Sequence, residues 1–239
     1  MIVVRSFFYQ LLFHLWTSFV AIVGLPALML PKQVVWAMSP FWSVVSFAIL
    51  RLTTGISYRL EGTENIAAGP VIYASKHQSA WDTMIYPHIL KNPIVVLKKE
   101  LRSVPFYGWY LTKYGSIGVN RSGGARALRA MVQEARSAID AGRPIVVFPE
   151  GTRTAPGERG TYQSGVAALY RELGVPLVPV ALNSGLFWPR RSFIRKPGTI
   201  VLRLLPAIPP GLERKAFMAR LESDIEKAQA ELVGNQVEN

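Results

Sequence analysis

Residues 75–82 read Ser-Lys-His-Gln-Ser-Ala-Trp-Asp, directly after the apolar run Pro70–Ala74 and ahead of a helical stretch. The two groups with chemistry are His77 and Asp82, five positions apart. On a regular helix that spacing turns them about 140° away from each other. They meet only if His77 lies in the strand-to-helix turn and Asp82 in the first turns of the helix. A carboxylate bonded to one imidazole nitrogen fixes the tautomer and stabilises the imidazolium. The other nitrogen is then a general base, and no serine is needed if a substrate hydroxyl is the nucleophile. The same residues also fit a helix-capping histidine beside a solvated aspartate.

Three further segments join this one. Phe148-Pro149-Glu150-Gly151-Thr152-Arg153 closes an apolar run. Arg153 offers a fork suited to phosphate, and Gly151 allows backbone N–H groups to approach a ligand. An ordinary turn with a surface arginine is the plain alternative. Gly115-Ser116-Ile117-Gly118-Val119-Asn120-Arg121 is another run ending in arginine. Val175-Pro176-Leu177-Val178-Pro179-Val180 carries two prolines. Proline removes ladder donors, so this strand is expected at a sheet edge or at a bulge.

Several chemistries are excluded. With no cysteine there is no disulfide, no thiolate metal site and no cysteine nucleophile. Gly-x-Ser-x-Gly, a Walker-type phosphate loop, His-Glu-x-x-His and Rossmann glycine spacing are all missing. The chain has three histidines; His14 falls in an apolar run and His88 on the helical stretch after Asp82, and neither is expected to be catalytic.

The elements that must position these residues follow from periodicity. β-branched, apolar runs predict strands at Ile56–Leu60, Val71–Ala74, Ile94–Leu97, Ser116–Val119, Ile145–Phe148, Leu177–Leu182 and Thr199–Leu204. Ala127, Leu128, Met131, Val132, Ala135 and Ile139 recur at helical spacing, as do Phe217, Leu221, Ile225, Ala228 and Leu232. Strands alternating with helices predict an α/β domain with a mostly parallel central sheet flanked by helices.

The 239 residues are 50% hydrophobic and carry a formal net charge of +12, which points to an anionic partner. No acidic residue precedes Glu61. Beyond residue 60, twenty-three basic residues face fifteen acidic ones, a balance of +8. The front is expected to be an apolar two-helix membrane anchor, residues 1–51, ahead of an α/β domain spanning 52–239. Its first run, Ser6 to Leu30, would be roughly 37 Å long as a helix, against a hydrocarbon core of about 30 Å. The second, Val34 to Leu50, is expected to break at Pro40. Two crossing helices and a hairpin dipping into one leaflet both fit, and Gln10, His14 and the prolines favour the hairpin; a cleaved signal peptide is the third option, against which no convincing small-residue cleavage site follows the first run. Arg190, Arg191, Arg195 and Lys196 cluster around Phe187, Trp188 and Phe193, either as a solvated loop or as a surface facing membrane or acyl donor.

In combination and in this order, His-x-x-x-x-Asp, the arginine-ended strand, Phe-Pro-Glu-Gly-Thr-Arg and Val-Pro-Leu-Val-Pro-Val resemble the glycerolipid acyltransferase family. The resemblance covers roughly Gly62 to Pro210, and Lys98-Lys99-Glu100-Leu101 with Pro105 and Gly108 extends it. Within the family the layout is most similar to the bacterial enzymes that acylate 1-acylglycerol-3-phosphate. The resemblance implies that His77 deprotonates the sn-2 hydroxyl of lysophosphatidic acid and Asp82 orients His77. It implies that Arg121, Arg153 and Lys98 hold the acceptor phosphate, with Glu150 and Gly151 shaping that pocket. Pro176 and Pro179 would belong to the acyl-binding wall, and backbone N–H groups near Gly151 would receive the oxyanion. It also implies acyl-CoA or acyl-carrier protein as co-substrate, no other cofactor and no metal. The implied setting is the cytoplasmic face of a bacterial inner membrane, with membrane lipids as partners and no nucleic acid. Lys76 stands where family members often have asparagine, and Asn120 where an acidic residue is common. These departures leave other acceptors open, such as glycerol-3-phosphate or another lysolipid. A lipid-binding protein without chemistry is the rival outside enzymes; a nucleic-acid binder lacks a reading motif.

Overall fold

A computed structural model describes residues 1–120 and 123–237. Arg121 therefore lies outside the described residues. The α/β part is built on a seven-stranded sheet in the order β1-β7-β6-β2-β5-β3-β4. Its strands are β1 (Ile56–Glu61), β2 (Ile72–Ser75), β3 (Ile94–Lys98), β4 (Ile117–Val119), β5 (Ile145–Val147), β6 (Leu177–Leu182) and β7 (Gly198–Leu204). All seven expected strands are present, with ends displaced by a residue at most. Every neighbouring pair is parallel except β6 with β7. Consequently β2 to β6 all point their carboxyl ends to one edge of the sheet.

Side-chain alternation along the strands sorts the core into two faces. Val71, Tyr73, Val146, Val178, Val180 and Leu182 pack on one side. They meet the second long N-terminal helix α2 (Lys32–Thr54) and the short helices α3 (Trp81–Met84), α4 (Tyr86–Ile89) and α8 (Ser184–Phe187). Ile72, Ala74, Ile94, Ile117, Ile145 and Leu177 face the other side. There they are covered by α6 (Gly124–Asp140), α7 (Ser164–Leu173) and the C-terminal α9 (Arg214–Val237). Both helices expected from periodicity, α6 and α9, are present in this layer. The remaining helix, α5 (Tyr107–Tyr114), follows a 3-10 turn at Lys99–Ser103.

Two expectations are corrected. Pro176-Leu177-Val178-Pro179 does not make an edge strand, because β6 lies inside the sheet between β7 and β2. Pro179 is tolerated there because its carbonyl, and hence its donor-less nitrogen, faces β7 just past Leu204, where Leu205 N–H donates to Pro179 O (2.9 Å). The second apolar helix also does not break: α2 runs continuously through Pro40. The ring removes only one internal hydrogen bond, and packing on the domain holds the turns to either side.

The first long helix, α1 (Ile2–Val23), and α2 are both long and apolar enough to cross a membrane. They form a hairpin through the turn containing Pro26 and Pro31, and Trp42 Nε1 donates to Thr17 Oγ1 across it (3.2 Å). The hairpin is held to the α/β part at several points. Phe47 of α2 packs on Tyr58 and Trp81, with ring centroids 5.3 and 5.8 Å apart. Trp36 Nε1 donates to the Tyr114 carbonyl (3.0 Å). The Arg195 N–H donates to Ser6 Oγ of α1 (2.9 Å).

Candidate active site

β2 ends at Ser75, and the chain turns sharply through Lys76–Ala80 before α3 begins at Trp81. That turn is organised by Asp82, the second residue of α3, whose side chain is fully buried. Its Oδ2 accepts from the backbone N–H groups of Gln78 (2.6 Å) and Ser79 (2.8 Å). Its Oδ1 accepts from Ser79 Oγ (3.3 Å) and Ser184 Oγ (2.5 Å). The loop is thereby folded over the carboxylate, and His77 Nδ1 is brought to Oδ2 at 2.9 Å. Five residues of spacing become a contact because they cross a turn rather than a helix.

With Nδ1 donating to a buried carboxylate, the imidazole is held with Nε2 as its unprotonated nitrogen. The ring is stacked on Phe148 at the end of β5, 4.1 Å between centroids and 24° between planes. Its side chain keeps 13% of its exposure. A rigid imidazole with a fixed tautomer and an accessible edge is suited to take a proton from a hydroxyl.

Phe148–Arg153 follows β5, the strand beside β2, and so reaches the same sheet edge. Glu150 does not face outward. Its buried carboxylate pairs with Lys76 Nζ (2.7 Å), accepts from Thr154 Oγ1 (3.0 Å), and lies 3.4 Å from the His77 N–H. Lys76 is also fully buried, and its amine makes a second pair with Glu226 of α9 (2.7 Å) and donates to the Glu158 carbonyl (3.2 Å). Tyr162 donates to the same Glu226 oxygen (3.1 Å). This cluster joins the His77 turn, the loop after β5 and α9.

Gly151 takes a left-handed backbone (φ 65°) and its N–H donates to Phe148 O (2.9 Å). That turn engages the N–H of Gly151 itself, so an oxyanion at this loop would have to be met by neighbouring N–H groups. Arg153 is half-buried two residues on, and its carbonyl accepts from the exposed Arg190 (2.9 Å). Lys98 is exposed at the carboxyl end of β3, on the same edge as His77. Pro179 is buried within β6, opposite Ala74 of β2. Pro176 is not brought to this edge: it precedes β6 at the opposite edge, where its carbonyl accepts from Ile72 (3.1 Å).

The other histidines sit away from this turn. His88 bonds Tyr58 OH (2.8 Å), and His14 on α1 contacts the Gln10 carbonyl (2.6 Å). Of the basic cluster at 190–196, Arg195 is not solvated. It is buried with its guanidinium over Trp188 (4.5 Å) and Tyr9 (5.8 Å). Ser184 and Glu226 are not singled out by the sequence, although Ser184 lies two residues past the end of β6 at the same sheet edge.

Fold and site together define a class: a parallel-sheet α/β protein with a carboxylate-held imidazole at the carboxyl edge of its central strands. Residues 57–183, more than half of the chain, match the family model described as Acyltransferase, and the chain belongs to that family. It is 35% identical over 167 residues to the 1-acyl-sn-glycerol-3-phosphate acyltransferase of Pseudomonas aeruginosa, covering 70% of this chain and 65% of that one. It is 29% identical over 167 residues to the protein of the same name from Saccharomyces cerevisiae, covering 68% and 55%. The chain thus spans between about half and two thirds of these relatives' length. Its fold is that of the crystal structure of the 1-acyl-sn-glycerophosphate (LPA) acyltransferase from Thermotoga maritima, with TM-score 0.72. That match is 22% identical and covers 93% of this chain and 96% of the other.

Proposed function

We propose that this protein transfers a fatty acyl group from a thioester to the sn-2 hydroxyl of lysophosphatidic acid, giving phosphatidic acid for phospholipid synthesis. The observation that carries the reading is the 2.9 Å bond between His77 Nδ1 and the buried Asp82 carboxylate. His77 Nε2 takes the hydroxyl proton as the oxygen attacks the thioester carbonyl carbon. Asp82 holds the tautomer and stabilises the imidazolium. The tetrahedral intermediate collapses with cleavage of the C–S bond, and the imidazolium returns its proton to the leaving thiolate. The products are the ester and a free thiol on coenzyme A or acyl-carrier protein. Arg153, Lys98 and Arg121 supply positive charge to the acceptor phosphate, while Glu150 acts through Lys76 and Thr154 by fixing the loop.

The N-terminal hairpin is the membrane anchor in this reading. α2 is held to the α/β part at Trp36 and Phe47, which supports a hairpin dipping into one leaflet over a pair of crossing helices. α1 instead presents Phe7, Phe8, Leu11, Leu15, Phe19 and Ile22 outward, a face suited to lie within one leaflet. The setting is then a cytoplasmic membrane surface, where acyl donor and lysolipid meet.

The test is an acceptor panel with purified protein: lysophosphatidic acid, glycerol-3-phosphate and other lysolipids, each with acyl-CoA and acyl-carrier-protein donors. Lysophosphatidic acid should give the highest kcat/KM, and Arg153→Ala should raise its KM. Preference for another acceptor, or an unchanged KM, would overturn the assignment.

A further inference from the structure

The Lys99–Ser103 turn and α5 carry an apolar surface that the catalytic reading does not use. Leu101, Val104, Phe106, Tyr107 and Trp109 are 37%, 41%, 42%, 50% and 50% exposed. Isolated exposed apolar residues are ordinary; a contiguous run of them is not. Phe106 is held outward by a left-handed backbone (φ 61°), a conformation that a bulky residue adopts only when its surroundings impose it. The turn is closed by the Tyr107 N–H, which donates to the Pro105 carbonyl across Phe106 (2.7 Å), and α5 packs closely on the preceding segment, since a Cβ at Gly108 would come within 2.2 Å of the Arg102 carbonyl. Phe106 and Trp109 then form one tilted pair, 5.0 Å between centroids.

The position of this surface says what covers it. Tyr110 of α5 donates to the Ala21 carbonyl at the end of α1 (2.9 Å), so α5 adjoins the end of α1 where Ile22 and Val23 are exposed. The exposed cations Lys98 and Lys99 flank it against one exposed acid, Glu100, with Lys113 further along α5. Aromatic rings beside lysines are the composition that suits a headgroup layer. Lys98 ends β3 on the edge that carries His77, and Arg153 lies within electrostatic reach of Tyr107.

We infer that the Lys99–Ser103 turn and α5 form a second membrane-contact surface, seated in the headgroup layer of anionic phospholipid, over which the lipid acceptor passes from the bilayer to the His77 edge. The inference rests on the membrane-anchored reading above and adds a contact separate from α1.

The absence of cysteine makes the test clean. Single variants Trp109→Cys, Phe8→Cys on α1 and Ser137→Cys on α6 are labelled with an environment-sensitive fluorophore. Each is mixed with phosphatidylglycerol vesicles, with and without brominated acyl chains. The labels at 109 and 8 should shift to shorter wavelength and be quenched by bromine, and the label at 137 should not. A response at 8 without one at 109 overturns this inference while leaving the anchor intact; silence at both overturns both. As a second measurement, Phe106→Ser with Trp109→Ser should lower partition to these vesicles about tenfold. Its activity on detergent-dispersed substrate should stay unchanged. Lys99→Gln should lower partition about fivefold on phosphatidylglycerol and leave phosphatidylcholine unaffected. Parental partition of both variants would overturn the surface.

Discussion

Lys76→Met tests whether the site is held together from below by charge. In the parent, the Lys76 amine lies 2.7 Å from Glu150 and 2.7 Å from Glu226, with side-chain exposures of 0%, 1% and 10%. Methionine matches the stem but removes the only cation of that triad, leaving two carboxylates facing each other away from water. Removing one partner of a buried pair costs about 3–5 kcal/mol. Residual hydrogen bonds from Thr154 to Glu150 and from Tyr162 to Glu226 keep the expected loss toward the lower end. Set against a typical stability of about 5–15 kcal/mol, that is a large fraction, and at about 2–4 °C per kcal/mol the melting temperature should fall by about 10 °C.

The discriminating arm is the double variant Lys76→Met with Glu226→Gln. Removing one of the two unpaired charges should recover part of the loss. The double-mutant cycle should give a coupling of about 1–3 kcal/mol. Thermal unfolding in one detergent, with transfer activity measured well below the transition, supplies both numbers. A melting temperature within about 2 °C of the parent, or additive effects, would refute the claim that this triad ties α9 to the His77 turn.

The remaining predictions concern the site and the sheet edge. His77→Ala should lower transfer by about 10²–10⁴-fold, the usual contribution of a general base. Its melting temperature should barely move, since the ring gives up one hydrogen bond and a stack; full activity would sink the mechanism. Asp82→Ala should fail differently, because it strands the donors of His77, Gln78, Ser79 and Ser184 in a dry loop. At about 1–3 kcal/mol for each orphaned donor, the variant should be poorly folded, and normal unfolding would contradict the geometry. Glu61 tests acid stability. Burial opposes its charge, but hydrogen bonds from Arg203 and Arg59 outweigh this and hold its pKa below the ordinary value. The stability it adds is complete above the unfolded carboxylate pKa and is lost as pH falls through the depressed folded one. Between about pH 5 and pH 3 the parent should therefore lose more stability than Glu61→Gln, by under about 1 kcal/mol given its exposure. Equal slopes would refute the pairing.

Much of the fold was legible because its strands are short, β-branched and separated by amphipathic helices whose period is unambiguous. The dyad was legible because both members fall within one turn, so local geometry alone brings them together. What was hidden depended on pairing between distant segments. Pro179 reads as an edge residue until β7 is known to end beside its nitrogen. Lys76 reads as a surface cation until Glu226, 150 residues away, is placed beneath it by α9. Ser184 reads as an ordinary serine until β6 is placed beside β2. Pro40 reads as a break until the docking of α2 is known.

Burial changes what the net charge means for an anionic lipid. Lys76 sits with two carboxylates, so that cluster contributes net negative rather than positive charge. Arg203 is shared between Glu61 and Glu231. Arg195 and Arg143 lie against aromatic faces, 4.5 Å from Trp188 and 4.4 Å from Trp36, and serve to fasten the N-terminal hairpin. Exposed charges beyond about 8 Å are screened at physiological salt. In the proposed reading the pull on a lipid phosphate therefore comes from Arg121 and, among the described residues, from the few cations at the His77 edge, Lys98 and Arg153 with Arg190 behind it, and not from the +12 as a whole. Neutralising exposed cations elsewhere should leave the KM for lysophosphatidic acid unchanged, whereas a single change at Lys98 or Arg153 should raise it. Uniform sensitivity across all basic residues would show that the long-range field, rather than the local site, does the binding.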